Sequence, residues 1–202
     1  MGKPSLIAIV GGSGAGKTWL ADQLHSALHP KAARLSLDDF YRDRSHLSPG
    51  RRRLINFDHP RAIDWSGFRL VLEDYLAARP TSTPVYDFTT HSRSGTARLA
   101  RKQILLVDGL WLLRFAWLRQ FWSLSIFVDC PAQTRLRRRL SRDLASRGRS
   151  RDSIQRQFVS MVEPMHQKYV ATQAKWADVL LSKNCSGTKV NQLAERIKDC
   201  LP

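Results

Sequence analysis

The sequence predicts an α/β fold, a parallel sheet flanked by helices, on three observations. Apolar runs of strand length alternate with segments of helical period. The first run, Leu6-Ile7-Ala8-Ile9-Val10, leads straight into a glycine-rich octapeptide, Gly11 to Thr18, with a helical segment behind it. Two further apolar runs end in the aspartates Asp38 and Asp108, at the strand ends that face the ligand crevice of a parallel sheet.

Five strands are expected: Leu6 to Val10, Ala33 to Leu37, Ile104 to Val107, Leu124 to Val128 and Val179 to Leu181. The first helix runs from about Lys17 to Leu28. A second follows Asp64, its N-cap, and places Phe68, Leu72, Tyr75 and Leu76 on one face. The stretch from Asp39 to Pro60 is irregular and charged. In Pro80 to Arg101, the residues Pro80, Pro84 and Gly95 punctuate short β-prone pieces, Pro84-Val85-Tyr86 and Thr96-Ala97-Arg98-Leu99. Long irregular segments inside a compact domain are more often binding elements than filler, so these two are read as an insertion that builds a site. A third helix, from about Ala132 to Ala145, is loaded with arginine. A fourth starts near Asp152 and carries Ile154, Phe158, Met161, Met165 and Tyr169 on one stripe, with Pro164 predicting a kink or break. The last, near Thr188 to Leu201, buries Val190, Leu193, Ile197 and Leu201. The stripes of Met, Phe and Tyr are core faces rather than cofactor boxes.

The chain has 202 residues, 43% hydrophobic and 25% charged, which suits one globular domain spanning 1–202. Its 33 Lys and Arg against 17 Asp and Glu leave a formal charge of +16, an attraction for anionic partners. Cys130, Cys185 and Cys200 match no metal-ligand spacing and are read as reduced packing residues, which suits a cytoplasmic location. An apolar strand begins too near Met1 to leave room for a secretory signal. Asp108 and Arg114 interrupt the most apolar region, Ile104 to Leu118, so no membrane span is expected.

Gly11-x-x-x-x-Gly16-Lys17-Thr18 is a Walker A pattern in its proper context, strand before and helix after, and makes the fold P-loop NTPase-type. Its backbone N–H groups can face phosphates, and the new helix adds its positive end. Gly11, Gly12, Ser13, Gly14, Ala15, Gly16, Lys17 and Thr18 are thus the nucleotide-binding candidates. Lys17 would neutralise β/γ-phosphate oxygens and Thr18 would ligate magnesium, with Asp108 as the Walker B-like acid. Trp19 stands where a small residue is expected and is read as packing at the sheet or, as the alternative, as shaping the site near the nucleotide. No guanine-reading Asn-Lys-x-Asp tetrapeptide occurs, which disfavours a GTPase switch. Phosphoryl transfer to a hydroxyl needs a carboxylate to orient and deprotonate it, and Asp38 is the candidate base.

Nine arginines and only two acids, Asp143 and Asp152, lie between Arg135 and Arg156. A nucleic-acid-binding helix face is one explanation. A lid over ATP is the other, favoured by the break at Arg147-Gly148-Arg149-Ser150, where a glycine hinge lets guanidinium groups swing onto the transferring phosphate.

With these pieces in order, the chain resembles the uridine kinase (uridine-cytidine kinase) family of P-loop kinases, related to phosphoribulokinase. The resemblance spans Ile9 to about Leu180. "GGSGAGKT", "LSLDDFYRD", "NFDHP" (Asn56 to Pro60), "PVYDFTTHSR" (Pro84 to Arg93), "FVDCPAQTRLRRRLSRD" (Phe127 to Asp143), "RGRS" (Arg147 to Ser150) and "KWADVLL" (Lys175 to Leu181) carry it. It implies a nucleoside monophosphate kinase-like fold with a β-hairpin insertion, about 80–101, over the pyrimidine and an Arg-rich lid, about 135–156. The implied reaction is phosphorylation of the 5′-hydroxyl of uridine or cytidine by Mg-ATP or another nucleoside triphosphate such as GTP. On matching positions Asp38 is the implied base, Asp58 a ribose-hydroxyl acceptor, Tyr86 and His91 base-edge readers and Phe88 an aromatic wall, with Tyr41 also on the substrate side. Arg139 and Arg149 are implied on the ribose side, and Arg142 and Arg147 at the nucleotide, Arg142 with a catalytic role beside Lys17. The family also suggests a homo-oligomer. Two departures stand out: Asp108 occupies a position where the family usually has Glu, and "SHLSPGRRR" (Ser45 to Arg53) replaces a more acidic stretch. The alternatives are a P-loop kinase for another small hydroxylated metabolite and a basic nucleic-acid-binding ATPase, in which "YDFTTHSR" has no obvious purpose.

Overall fold

A period of two along the apolar strands decides how the sheet is buried. The computed structural model describes residues 2–53, 55–146, 150–182 and 186–201. The chain runs β1 (Ser5–Gly11), α1 (Lys17–Ala27), β2 (Ala32–Ser36), a 3-10 turn (Leu37–Phe40), α2 (Pro49–Arg53) and α3 (Trp65–Leu76). It continues through β3 (Ser82–Asp87), β4 (Ser92–Arg98), β5 (Ile104–Gly109), α4 (Ala116–Arg119), β6 (Leu124–Asp129), α5 (Ala132–Ser146), α6 (Arg151–Gln157), α7 (Glu163–Met165), β7 (Val179–Ser182) and α8 (Gly187–Lys198).

Five strands form one parallel sheet in the order β2-β5-β1-β6-β7. Leu6, Ala8 and Val10 of β1 pack on one side with Leu105, Val107 and Phe127, beneath Phe68, Leu72 and Tyr75 of α3 and the fully buried Trp111. Ile7, Ile9, Ile104, Leu106 and Ile126 point to the other side, where Leu20 and Leu24 of α1 and Val190, Leu193 and Ile197 of α8 cover them. Each such side chain contributes about 1.5–3 kcal/mol by leaving water. Burial on both faces explains why the strands read as unbroken apolar runs. With β5 on one side of β1 and β6 on the other, the crossovers diverge from β1, and the crevice opens at its carboxyl end.

All five expected strands are present within a residue or two of their expected limits. Asp64 caps α3 as expected, its Oδ1 accepting from the Gly67 N–H at 3.1 Å. The insertion is an antiparallel hairpin, β3 with β4, longer than the two β-prone pieces suggested and bulged between Val85 and Tyr86. Among the described residues no helix is long and apolar enough to cross a membrane.

Two expectations fail. Trp19 is 48% exposed and does not pack at the sheet, because Leu20, Ala21 and Leu24 turn inward and leave it on the outer side of α1. After Phe158 the expected stripe also slips. The buried positions are Ile154, Phe158, Val162, His166 and Val170 rather than Met161, Met165 and Tyr169. Two π-helical turns, Phe158–Val162 and His166–Val170, flank Pro164 and widen the repeat to four residues. This is the form that the break expected at Pro164 takes. As a result His166 packs behind the phosphate loop, where burial and then Arg135 hold its pKa down to about 4.

Candidate active site

Glycine shapes the turn from β1 to α1 at two positions. Gly14 has φ +79°, and a Cβ there would lie 2.5 Å from the Arg135 carbonyl oxygen. Gly16, at φ +105°, precedes α1 and leaves its amino end without a side-chain cap. The first N–H groups of α1 have no intrahelical acceptor, so the loop offers an anion both donors and the positive end of a helix. Lys17 is buried beside them, its Nζ donating to the Gly12 carbonyl at 3.2 Å. Burial lowers its pKa, while Asp38 and Asp108 pull it back up.

Behind the loop, the Thr18 hydroxyl donates to Asp108 Oδ2 at 3.2 Å. Burial, then Asp38, raise the pKa of Asp108. Arg34 of β2 reaches the other carboxylate oxygen at 3.4 Å and also pairs with Asp22. The sequence offered no signal for Arg34, because its partner is set by the register that places Ser36 of β2 opposite Asp108. Among the described residues no cluster of three or more His, Cys, Asp or Glu could hold a metal. Thr18 and Asp108 place two oxygens side by side, a set that suits magnesium shared with phosphates and water rather than caged by protein.

A cleft of about 930 Å³ runs from Ser13, Lys17 and Thr18 past Asp38 and Asp58 to the hairpin. Asp38 lies in the 3-10 turn after β2, its N–H donating to Ser36 Oγ at 3.3 Å. Asp58 is set by a turn in which Asn56 Oδ1 accepts its N–H at 3.0 Å. Burial raises the Asp58 pKa against the pull of Arg139, Arg142 and Lys17. Asp39, beside Asp38, is pushed up to about 6 by burial, then by Asp38 and Asp108, even though it accepts the Tyr86 N–H.

The far end of the cleft is aromatic. The ring of Tyr86 lies 5.4 Å from Tyr41 and 5.2 Å from Phe88, and Phe57 stacks on His91 at 4.3 Å and 13°. The Tyr86 hydroxyl is buried without a hydrogen-bond partner among the described residues, and burial pushes its pKa up to about 12, so it stays protonated. His91 holds φ +53°, a left-handed conformation that costs a histidine about 1 kcal/mol, and its carbonyl accepts from the Arg44 N–H at 3.2 Å. The structure brings Tyr41, Tyr86, Phe88 and His91 together at this end of the cleft and adds Phe57 and Arg52, which sequence reasoning missed.

Arg135, Arg138 and Arg139 of α5 turn toward the phosphate loop. Arg138 donates to the Ala15 carbonyl at 2.9 Å, and Arg139 donates to Ser13 Oγ at 2.8 Å and Gln157 Oε1 at 2.9 Å. Arg135, 1% exposed, pairs with Glu163 at 2.5 Å. Arg142 donates to Asp143 Oδ1 at 2.8 Å, and Arg139 lies 3.5 Å from the other oxygen of this fully buried carboxylate. Their inward reach fits a lid better than an outward nucleic-acid face. Arg147 and Arg149 lie outside the described residues, as does the glycine hinge between them.

Comparison with known proteins agrees with this arrangement. The profile of the phosphoribulokinase / uridine kinase family matches residues 6–188. Uridine kinase of Brevibacillus brevis is 34% identical over 183 residues, covering 90% of this chain and 86% of its own. Uridine kinase of Streptococcus equi subsp. zooepidemicus is 36% identical over 186 residues, 91% of this chain and 89% of its own. Among solved structures, phosphoribulokinase from Rhodobacter spheroides shares the fold, with a TM-score of 0.67 at 15% identity over 94% of this chain and 74% of that one. A phosphate loop, two strand-end aspartates and a hairpin-walled cleft, carried on a sequence this similar to both relatives, lead to one assignment: the chain belongs to the phosphoribulokinase / uridine kinase family.

Proposed function

We propose that the protein transfers the γ-phosphoryl group of ATP to the 5′-hydroxyl of uridine or cytidine, giving UMP or CMP. The observation that carries this reading is a single cleft with a phosphate loop at one end, an aromatic wall at the other and Asp38 between them. The names of the similar uridine kinases support the choice of acceptor.

Asp38 accepts the proton of the 5′-hydroxyl as its oxygen bonds to the γ-phosphorus and the bond from that phosphorus to the β-phosphate oxygen breaks. Asp58 accepts hydrogen bonds from ribose hydroxyls, which suit a carboxylate. Tyr86 and His91 bond the edge of the base, and Phe88 and Tyr41 cover its face. Lys17, Arg139 and Arg142 face the charge that spreads over the transferring phosphoryl oxygens. Thr18 and Asp108 are the residues that would hold magnesium, which would further neutralise the phosphates.

The test is to incubate the purified protein with Mg-ATP and a panel of hydroxylated acceptors and to weigh the products. UMP and CMP are expected. Phosphorylation of a different acceptor with no UMP or CMP would overturn the reading, and RNA- or DNA-stimulated ATP hydrolysis lost at high salt would favour a nucleic-acid-dependent ATPase.

A further inference from the structure

At the amino ends of β1, β2 and β5, opposite the cleft, Lys3, Lys31, Arg101 and Lys102 line a second cavity of about 210 Å³. No Asp or Glu lines it, and among the described residues none of the four cations is in an ion pair. The head of Arg101 and the backbones of Lys31 and Lys102 are held. Arg101 donates to the Tyr75 carbonyl at 3.0 Å and the Gly2 carbonyl at 3.4 Å. The buried Tyr75 hydroxyl accepts from the Lys102 N–H at 2.8 Å and donates to the Lys102 carbonyl at 3.2 Å. Lys31 is tied to the sheet through its carbonyl, which accepts from the Ile104 N–H at 3.0 Å.

Four like charges around one concavity repel one another, and an anion placed among them adds an attraction to each that offsets this repulsion. The cavity is smaller than the roughly 300–1,000 Å³ that encloses a drug-sized ligand, so it fits phosphate groups while anything attached to them stays outside. We propose that this cavity is a second anion site, taking a short chain of phosphate groups. It is separate from the phosphate loop. Lys3 precedes β1, Lys31 precedes β2 and Lys102 precedes β5, and those strands lead at their other ends to Gly11, Asp38 and Asp108. Strands of this length keep the two sites roughly 20 Å apart, beyond the Debye length of about 10 Å at ordinary ionic strength. The three strands that carry the site are those that carry the chemistry, so an occupant braces the sheet from below. The site is also a use for positive charge that a kinase cleft leaves unexplained, and it does not depend on which acceptor the cleft takes.

The experiment is calorimetric titration of the full-length protein with sodium tripolyphosphate while ADP saturates the cleft, repeated with Lys31→Gln/Lys102→Gln. Wild type is expected to show one saturable site per chain outside the cleft, weakened roughly tenfold or more in the double variant. Phosphorylation without added polyphosphate is expected to be unchanged, because both lysines are remote from the cleft. A parallel titration with UTP separates the sources of the phosphate chain. A wild-type excess over the variant that is larger for UTP points to a nucleotide's tail, and one larger for tripolyphosphate points to free polyphosphate. No saturable binding in wild type, or equal affinity in the two proteins, overturns the proposal.

Discussion

The guanidinium of Arg52 donates to the carbonyl oxygen of Thr90 at 2.6 Å, joining the charged loop after β2 to the tip of the hairpin. The same group donates to the Ser45 and Leu47 carbonyls, each at 2.7 Å, so one side chain holds three backbone carbonyls on two segments, and the residue next to Thr90 is His91. Replacing Arg52 with Ala is predicted to raise the acceptor KM roughly tenfold, about 1.4 kcal/mol, with the KM for ATP little changed. Arg52→Lys, which can serve fewer of these carbonyls, should recover part of the loss. Steady-state kinetics with each substrate varied would show it, and an equal rise in both KM values would argue against a hairpin-holding role.

Asp38→Asn is predicted to leave nucleotide binding largely intact and to lower turnover by roughly 10² to 10⁴, the range for loss of a general base. Equilibrium binding of a fluorescent ATP analogue and single-turnover rates separate the two effects. Near-normal turnover would refute the assignment.

His91→Ala removes the ring stacked on Phe57 but retains the left-handed backbone. Acceptor affinity or the uridine-to-cytidine preference should change more than affinity for ATP. Matched losses for both substrates would mark His91 as structural.

Asp39→Asn is predicted to stabilise the protein at neutral pH. The folded-state pKa of Asp39, about 6, lies above its ordinary value of 3.8, so its carboxyl group favours the folded state fully below about 4, and that contribution is lost as the pH rises toward 6. Asparagine stays neutral and can still accept the Tyr86 N–H. After allowance for solvent screening, a gain of about 1 kcal/mol, or roughly 2–4 °C in melting temperature, is expected at pH 7.5, vanishing near pH 4. Thermal unfolding of both proteins across this range checks the sign, and a gain that persisted at low pH would contradict it.

Asp143→Ala would leave Arg139 facing a buried space that lacks its carboxylate. A stability loss of about 3–5 kcal/mol is predicted, as for removal of one partner of a buried pair. Asp143→Asn should fold better and weaken binding of both substrates, because Arg139 and Arg142 lose the anion that orients them. Chemical denaturation and substrate KM values together test this; unchanged KM values in a folded Asn variant would confine Asp143 to stability.

Much of the cleft was legible along the chain because its parts are local. The phosphate loop is eight consecutive residues with a strand before and a helix after, and Asp38 and Asp108 end apolar runs that can be seen without knowing which strands are neighbours. Tyr86, Phe88 and His91 came from resemblance, and the structure gathers them on one wall. Arg34, Phe57 and Arg52 escaped notice because each acquires its role from a partner distant in sequence: Asp108 across the sheet, and His91 and Thr90 at the hairpin tip. Asp143 could be seen only as one of two acids among nine arginines until its burial was known.

Local pattern by itself determined the parallel sheet, its five strands, the Asp64 cap and the glycine-rich turn between β1 and α1, since strand period, helical period and glycine-dependent turns depend on neighbours a few residues away. Only the tertiary structure decided which side chains face each other across the cleft, that Trp19 points to solvent and that the buried stripe slips onto His166. Those outcomes depend on strand register, on the widened turns around Pro164 and on desolvation by distant segments, and no spacing within the chain encodes them.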